Sequence, residues 1–314
     1  MYDFIAIGDT VIDVFIKLKE ATVSQDPYTI TLPFGDKIPY ESVEVVPAVG
    51  NSANASVAAA RLGLKSALVT HLGTDNNGED ALKRLKEEQV GTNFVEVQQG
   101  KKTNYHYVLW YGDDRTILVK HEEYEYKLPD IGEPKWLYLS SLGENTLDYH
   151  MEIAKYLKVH PKINLAFQPG TLQLNLGFEK LKELYTRTNI LFCNVDEAGR
   201  ILGINTLGIE ELLKRLQALG PKTVIITDGP KGAYAYDGVQ IYQQMPYPDP
   251  KPPFERTGAG DAFASTTVVA LALGQNLPTA LSWGAVNSMS VVQQVGAQKG
   301  LLTRFQIEEY LKKI

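Results

Sequence analysis

Short runs of consecutive apolar residues recur along this chain, separated by longer stretches in which apolar positions return every three or four residues. "FIAIG", "WLYLS", "INLAF", "ILFCN" and "TVIITDG" are runs of the first kind, and their lack of polar alternation predicts strands buried on both faces. The second kind predicts helices over 52–63, 77–90, 148–158, 176–186 and 209–219, with others after 260, after 277 and near 306–313. Alternating strands and helices point to βαβ units, and so to a three-layer α/β/α core with a mostly parallel sheet. Two stretches break the rhythm. From 14 to 48 short alternating pieces mix with Pro, Gly and charge, as half-exposed strands do. In "NYHYVLWYGDDRTILV" (104–119), aromatic and β-branched runs flank Gly112-Asp113-Asp114, which predicts a hairpin. The expected organisation is one domain, 1–314, with a small β-sheet lid formed by 14–48 and 101–122. The lid is expected over the C-terminal ends of the core strands, where open α/β sheets bind ligands.

Composition adds mostly exclusions. A chain of 314 residues, 44% hydrophobic and 22% charged, with formal net charge -6, has the profile of a globular protein with one large core. That acidity gives no general nucleic-acid surface, although a local pocket can still be basic. A single cysteine, Cys193, allows no intrachain disulfide or Cys-based zinc site, and reads as a small buried hydrophobe. The start shows no signal-peptide pattern, and "VVALALG" is too short to span a bilayer, so a cytoplasmic protein without membrane contact is expected. The five histidines show no metal-like spacing, and His71 reads as packing.

Four places at predicted strand ends carry candidate chemistry. In "ERTGAGDAF", Gly258, Ala259 and Gly260 precede Asp261 at the mouth of a helix. Backbone amides there can form an anion hole, and Asp261 beside it reads as a general base on an attacking hydroxyl; an N-cap acid is the plain alternative. In "PAVGNSANAS", Gly50, Asn51 and Asn54 open a helix, and Asp13 follows the first strand in "GDTVID". Carboxylate and carboxamide together suit vicinal hydroxyls, which both donate and accept; capping and solvated loop roles are the alternatives. Asn194 and Glu197 in "CNVDEAGRILG" can orient waters around Mg²⁺, or simply form a capping box. "TDGPKG" can follow a nucleotide's phosphates and ribose, or serve as a strand-to-strand turn. Neither GxxxxGK[ST] nor GxGxxG after the first strand is present.

These motifs, in this order, resemble the ribokinase-like sugar kinases, the PfkB carbohydrate kinase family, over about residues 2–302. The resemblance implies transfer of the γ-phosphoryl of ATP to a hydroxyl, with Asp261 as base and 258–260 as anion hole. It implies that Asp13, Gly50, Asn51 and Asn54 hold the acceptor, and that Asn194 and Glu197 organise Mg²⁺ through water. Thr227, Gly229 and Gly232 would line the ATP loop, with Asn287 beside the adenine. The family commonly has Asp-Thr where this chain has Glu255-Arg256, near a monovalent-cation site, so potassium activation stays open. "AVGN" replaces a usual Gly-Gly pair, and Val49 narrows backbone freedom there.

A free ribose- or fructose-like sugar is the expected acceptor. A ribonucleoside is the alternative, with Tyr105, Tyr107, Trp110 and Tyr111 as stacking candidates or as one greasy hairpin face. A phosphorylated sugar would call for a basic lid patch, for which Lys101, Lys102 and Arg115 are available. A non-catalytic sugar- or nucleotide-binding module is a reading of another class, opposed by the intact Asp261, Asn194 and Glu197. A homodimer through the lid edge is also expected by likeness to the family.

Overall fold

The computed structural model describes residues 1–313 except 26, 27, 113, 205 and 206, so Asp113 of the expected hairpin turn lies outside the described residues. The first third holds β1 (Phe4–Ile7), β2 (Val11–Leu18), β3 (Thr22–Gln25), β4 (Tyr28–Thr31), β5 (Tyr40–Val49), α1 (Asn51–Arg61), β6 (Ser66–Gly73), α2 (Asn76–Glu87) and β7 (Val95–Gln98). Next come β8 (Asn104–Tyr111), β9 (Asp114–Leu118), β10 (Trp136–Leu139), α3 (Leu147–Val159), β11 (Asn164–Phe167), α4 (Thr171–Leu176) and α5 (Phe178–Arg187). The chain continues through β12 (Ile190–Asn194), α6 (Val195–Leu202), α7 (Ile209–Ala218), β13 (Thr223–Thr227), β14 (Ala233–Tyr236) and β15 (Ile241–Gln244). It ends with α8 (Ala259–Ala272), α9 (Leu277–Val291) and α10 (Arg304–Leu311).

Nine strands form the main sheet in the order β15-β14-β13-β12-β11-β10-β1-β6-β7. From β13 to β7 all neighbours are parallel; only β14 and β15 add an antiparallel edge. Side chains alternate across the sheet with period two. In β1, Phe4 and Ala6 join a core that includes Val268 and Val286 of α8 and α9. Ile5 and Ile7 join the opposite core with Ile153, Leu184 and Leu213 of α3, α5 and α7. The sheet is therefore buried on both faces between helical layers, which is why its strands read as unbroken apolar runs.

The two irregular stretches pair with each other. β5-β2-β8-β9 make a separate four-stranded sheet, with β2 and β8 parallel and the outer pairs antiparallel. β2 begins at Val11, slightly before the expected boundary, so the small sheet is joined to the end of β1 by only Gly8, Asp9 and Thr10. Among the described residues no helix is long and apolar enough to cross a membrane.

Candidate active site

Two adjoining cavities open where the C-terminal strand ends meet the small sheet. The first, about 440 Å³, is lined by Asp13, Gly50, Asn51, Asn54, Asn194, Glu197, Gly258, Gly260 and Asp261, among others. The second, about 330 Å³, is lined by Thr227, Gly229, Gly232, Ala259 and Gly260 with Met245, Tyr247, Phe263 and Met289. Thr227, Arg256 and Gly260 belong to both walls, so the start of α8 stands at the junction.

Asp261 follows Gly260 of that junction and lines the first cavity. Its Oδ1 accepts from Asn51 Nδ2 at 2.9 Å and Gln168 Nε2 at 3.1 Å, and its Oδ2 from Asn54 Nδ2 at 2.8 Å. Burial, the largest influence, raises the carboxyl above the ordinary Asp range, while the amides of Asn54, Gln168 and Asn51 pull the other way. The amides are themselves held. Tyr138 donates to Gln168, and Gln298 Nε2 donates to Asn54 Oδ1 at 3.1 Å and to the carbonyl of Ala48 at 2.7 Å. Ala48 has φ 58°, a left-handed conformation costly for alanine, two residues before Gly50.

The helix start supplies unused donors. Gly258 caps α8 with φ 80° and no side-chain bond, and the first helical bond is Ala262 N–H to the Gly258 carbonyl at 2.8 Å. Among the described residues nothing accepts from the N–H groups of Gly260 and Asp261. Unspent amides at a helix start, together with the helix dipole, are the kind of group that can receive an anion.

Asn194 and Glu197 do form the capping box: Asn194 Oδ1 accepts from Glu197 N–H at 2.8 Å, and Glu197 Oε2 accepts from Asn194 N–H at 2.9 Å. Glu197 still faces the first cavity. Burial raises its carboxyl, the Asn194 amide opposes that, and Asp261 adds to the rise. The capping bond takes one carboxylate oxygen, and among the described residues no donor bonds Oε1. No group of three or more His, Cys, Asp or Glu gathers as a metal cage among the described residues. Mg²⁺ needs none, since it keeps several waters and takes one or two carboxylates plus phosphate oxygens.

Asn287 is the misplaced expectation. Its side chain is fully buried, donating to Thr266 Oγ1 at 2.7 Å and accepting from Leu302 N–H at 2.9 Å, and it lines neither cavity. In the apolar α8–α9 contact an amide must spend its polar atoms inside the protein. The side chains of α9 that do reach the second cavity are Ala285, Ser288 and Met289. The hairpin aromatics Tyr105, Tyr107, Trp110 and Tyr111 also miss the first cavity. Trp110 packs with Phe15, Val108 and Val295, and the odd-numbered tyrosines fall on the opposite face of β8.

Glu255 is fully buried, and its carboxylate accepts from Thr257 N–H at 2.7 Å, Thr257 Oγ1 at 2.5 Å and Gly296 N–H at 3.4 Å. His71 is packing, as expected: it is 2% exposed, with rings of Tyr124 and Tyr126 against it. Cys193 is buried.

Sequence reasoning missed Asp9, His106, His121 and Gln168, which all line the first cavity. Asp9 was in view beside Asp13, but nothing local separates the two acids. His106 stands opposite Asp13 in the β2–β8 register, a pairing no local pattern reveals.

The family model for pfkB family carbohydrate kinases matches residues 5–304. Bacillus subtilis ribokinase is 30% identical over 286 residues, covering 88% of this chain and 92% of that protein. A nucleoside kinase of Methanocaldococcus jannaschii is 24% identical over 270 residues, covering 84% and 85%. The structure of Arabidopsis thaliana ribokinase complexed with ribose and ATP superimposes with TM-score 0.83 at 21% identity, covering 99% of both chains.

Proposed function

The chain belongs to the pfkB family of carbohydrate kinases, phosphotransferases with an alcohol group as acceptor, and we propose that it transfers the γ-phosphoryl of ATP to a hydroxyl of a small ribose- or fructose-like sugar. One observation carries this reading: Asp261, gripped by three amides, lines an acceptor-sized polar cavity next to Gly260, which a second, more apolar cavity shares, beside unused helix amides.

In this reading the sugar occupies the first cavity, its reacting hydroxyl at Asp261 and its other hydroxyls on Asp13, Gly50, Asn51 and Asn54. The nucleotide lies in the second cavity along Thr227, Gly229 and Gly232. Its terminal phosphate meets the amides of Gly260 and Asp261, the Ala259 N–H being spent on the Arg256 carbonyl, with Arg256 on both walls as a further cation. Asp261 takes the hydroxyl proton as the new O–P bond forms and the bond from the γ-phosphorus to the β–γ bridging oxygen breaks, with ADP as the leaving group. Amides aimed at the moving phosphoryl stabilise charge without reorganising. Asn194 and Glu197 would hold Mg²⁺ through water, and the bound ion would neutralise phosphate charge. The small sheet acts as the lid that keeps water, the competing acceptor, away. The aromatic residues of β8 stand outside the cavity, which favours a sugar over a stacked nucleobase.

A coupled assay of MgATP with free sugars, sugar phosphates and ribonucleosides tests the assignment. A free pentose or ketohexose is expected to show the highest kcat/KM, and a ribonucleoside at the top would replace the reading. For Glu197→Gln, the free Mg²⁺ needed for half-maximal rate should rise about 10-fold or more. An unchanged Mg²⁺ titration would remove Glu197 from that role. On the small sheet Val45, Tyr107 and Leu118 are exposed on neighbouring strands, with Val14 between the first two. We propose a homodimer through this sheet, with light scattering at twice 34.8 kDa as its check.

A further inference from the structure

Two of the three amides on Asp261 are held in one orientation from behind. Gln168 Nε2 donates to Asp261 Oδ1, and the hydroxyl of Tyr138 donates to Gln168 Oε1. Asn54 Nδ2 donates to Asp261 Oδ2, and Gln298 Nε2 donates to Asn54 Oδ1. Gln298 is oriented in turn by the main chain, since the same Nε2 donates to the carbonyl of Ala48 at 2.7 Å. Tyr138, on β10, and Gln298, after α9, are 0% and 1% exposed and line neither cavity.

A carboxamide turned end for end keeps its shape, so its orientation is set by what meets its two ends. Turned over, Gln168 would aim Oε1 at the carboxylate, and the buried Tyr138 proton would lose the one acceptor it meets among the described residues. Turned over, Asn54 would set Oδ1 against Asp261 Oδ2 and its NH₂ against that of Gln298. Gln298 cannot turn to relieve this, because its Oε1 would then face the Ala48 carbonyl, which only accepts. Its Oε1 stays buried without a donor among the described residues, so the side chain is placed for its nitrogen. An ionised Asp261 favours the amides as they stand, whereas a protonated one could donate to a turned amide.

We infer that Tyr138 and Gln298 are positioning residues for the transfer: acting through Gln168 and Asn54, they hold two amide nitrogens on Asp261, so that its carboxylate meets the acceptor hydroxyl without a proton. The inference rests on the reading of Asp261 as the base and says what keeps it one. Burial raises the Asp261 carboxyl; Asn54, Gln168 and Asn51 oppose that, and Arg115 adds to the opposition. Glu197 repels it, and Tyr138, held by burial above the ordinary tyrosine range, stays a donor throughout. Asp9, Asp13, His106, His121, Cys193 and Arg256 face the same cavity. No substitution below touches them, so differences between variants report the amides.

The test reads Asp261 in two ways. One is the acid limb of the kcat–pH profile. The other is an infrared difference titration of each protein against its own Asp261→Asn counterpart, which sees the carboxyl with no substrate present. Tyr138→Phe keeps the buried ring, and Gln168→Met keeps the side-chain length without the amide. Each is expected to move both readouts up by about one pH unit, so that kcat on the acid limb falls about 10-fold and recovers as pH rises. Gln298→Met should move them the same way through Asn54. The two locks are separate, so either of these outer variants alone decides for its own amide. Tyr138→Phe added to Gln168→Met should shift nothing further, because the side chain it acts through is gone. Unmoved readouts in folded variants, or an additive shift in the double variant, overturn the positioning and leave the base standing. Absence of ADP formation with every sugar, alongside a shifted infrared titration, overturns the kinase reading and leaves the amide orientation standing.

Discussion

Asp261→Asn is expected to lower kcat by about 10³-fold, the usual range for loss of a positioned base, while the ATP dissociation constant stays within about twofold. The carboxamide keeps the shape, and Asn51, whose amide oxygen is not held as those of Asn54 and Gln168 are, can turn that oxygen toward it, so the geometry survives. Only the capacity to take a proton is lost. Rapid-quench turnover and calorimetric ATP titration check the two halves, and near-normal turnover would remove Asp261 from the base role. The same substitution should leave the melting temperature equal or higher. A carboxyl raised by burial binds its proton more tightly folded than unfolded. Stability therefore falls as pH rises from the unfolded value through the folded one, and the amide escapes that cost. In the wild type, kcat should fall on acidification from a pH above the ordinary Asp range, because the proton-free form does the work. A pH–rate profile whose acid limb lies at the ordinary Asp value would contradict this placement.

Gly258→Ala should cost more than its one carbon suggests. The residue has φ 80°, where an L side chain is strained by about 1–2 kcal/mol, and a β-carbon there would overlap Ala297. Relief requires the start of α8 to move away from the 297 segment, carrying the Gly260 and Asp261 amides with it. Loss of a preorganised donor typically costs 10²–10³ in rate, so kcat should fall about 10²-fold or more. Thermal melting and turnover together measure it. A variant with wild-type kcat would show that these amides do not meet the transferred group. Gly260→Ala is the contrast: a β-carbon there meets no protein atom within 4 Å, so any loss it causes arises from the cavity itself.

How far the site could be read depended on whether its residues act within one turn of chain. The Gly258–Asp261 stretch and the Asn194/Glu197 pair are local devices, and both stand at strand or helix ends in the cavity walls. Asn287 had no local device behind it. Likeness placed it at the nucleotide, whereas the packing of α8 on α9 turned it inward to Thr266. Gln168 carries no signal of its own, because only the parallel β10–β11 pairing puts Tyr138 beside it and the strand end opposite Asp261.

The layered core, the strand-end placement of the chemistry and the family were all settled by the order of apolar runs and glycine-rich turns. Those follow from short-range rules: two-residue and 3.6-residue periodicity and the backbone freedom of glycine. The meeting of two acids and two histidines in the wall of the first cavity was decided by tertiary structure alone. Asp9, Asp13, His106 and His121 are brought together by a parallel pairing across 93 residues and by the chain's return after β9. Strand register is set by which faces find burial when the chain closes on itself, and that choice leaves no mark in any single window of sequence.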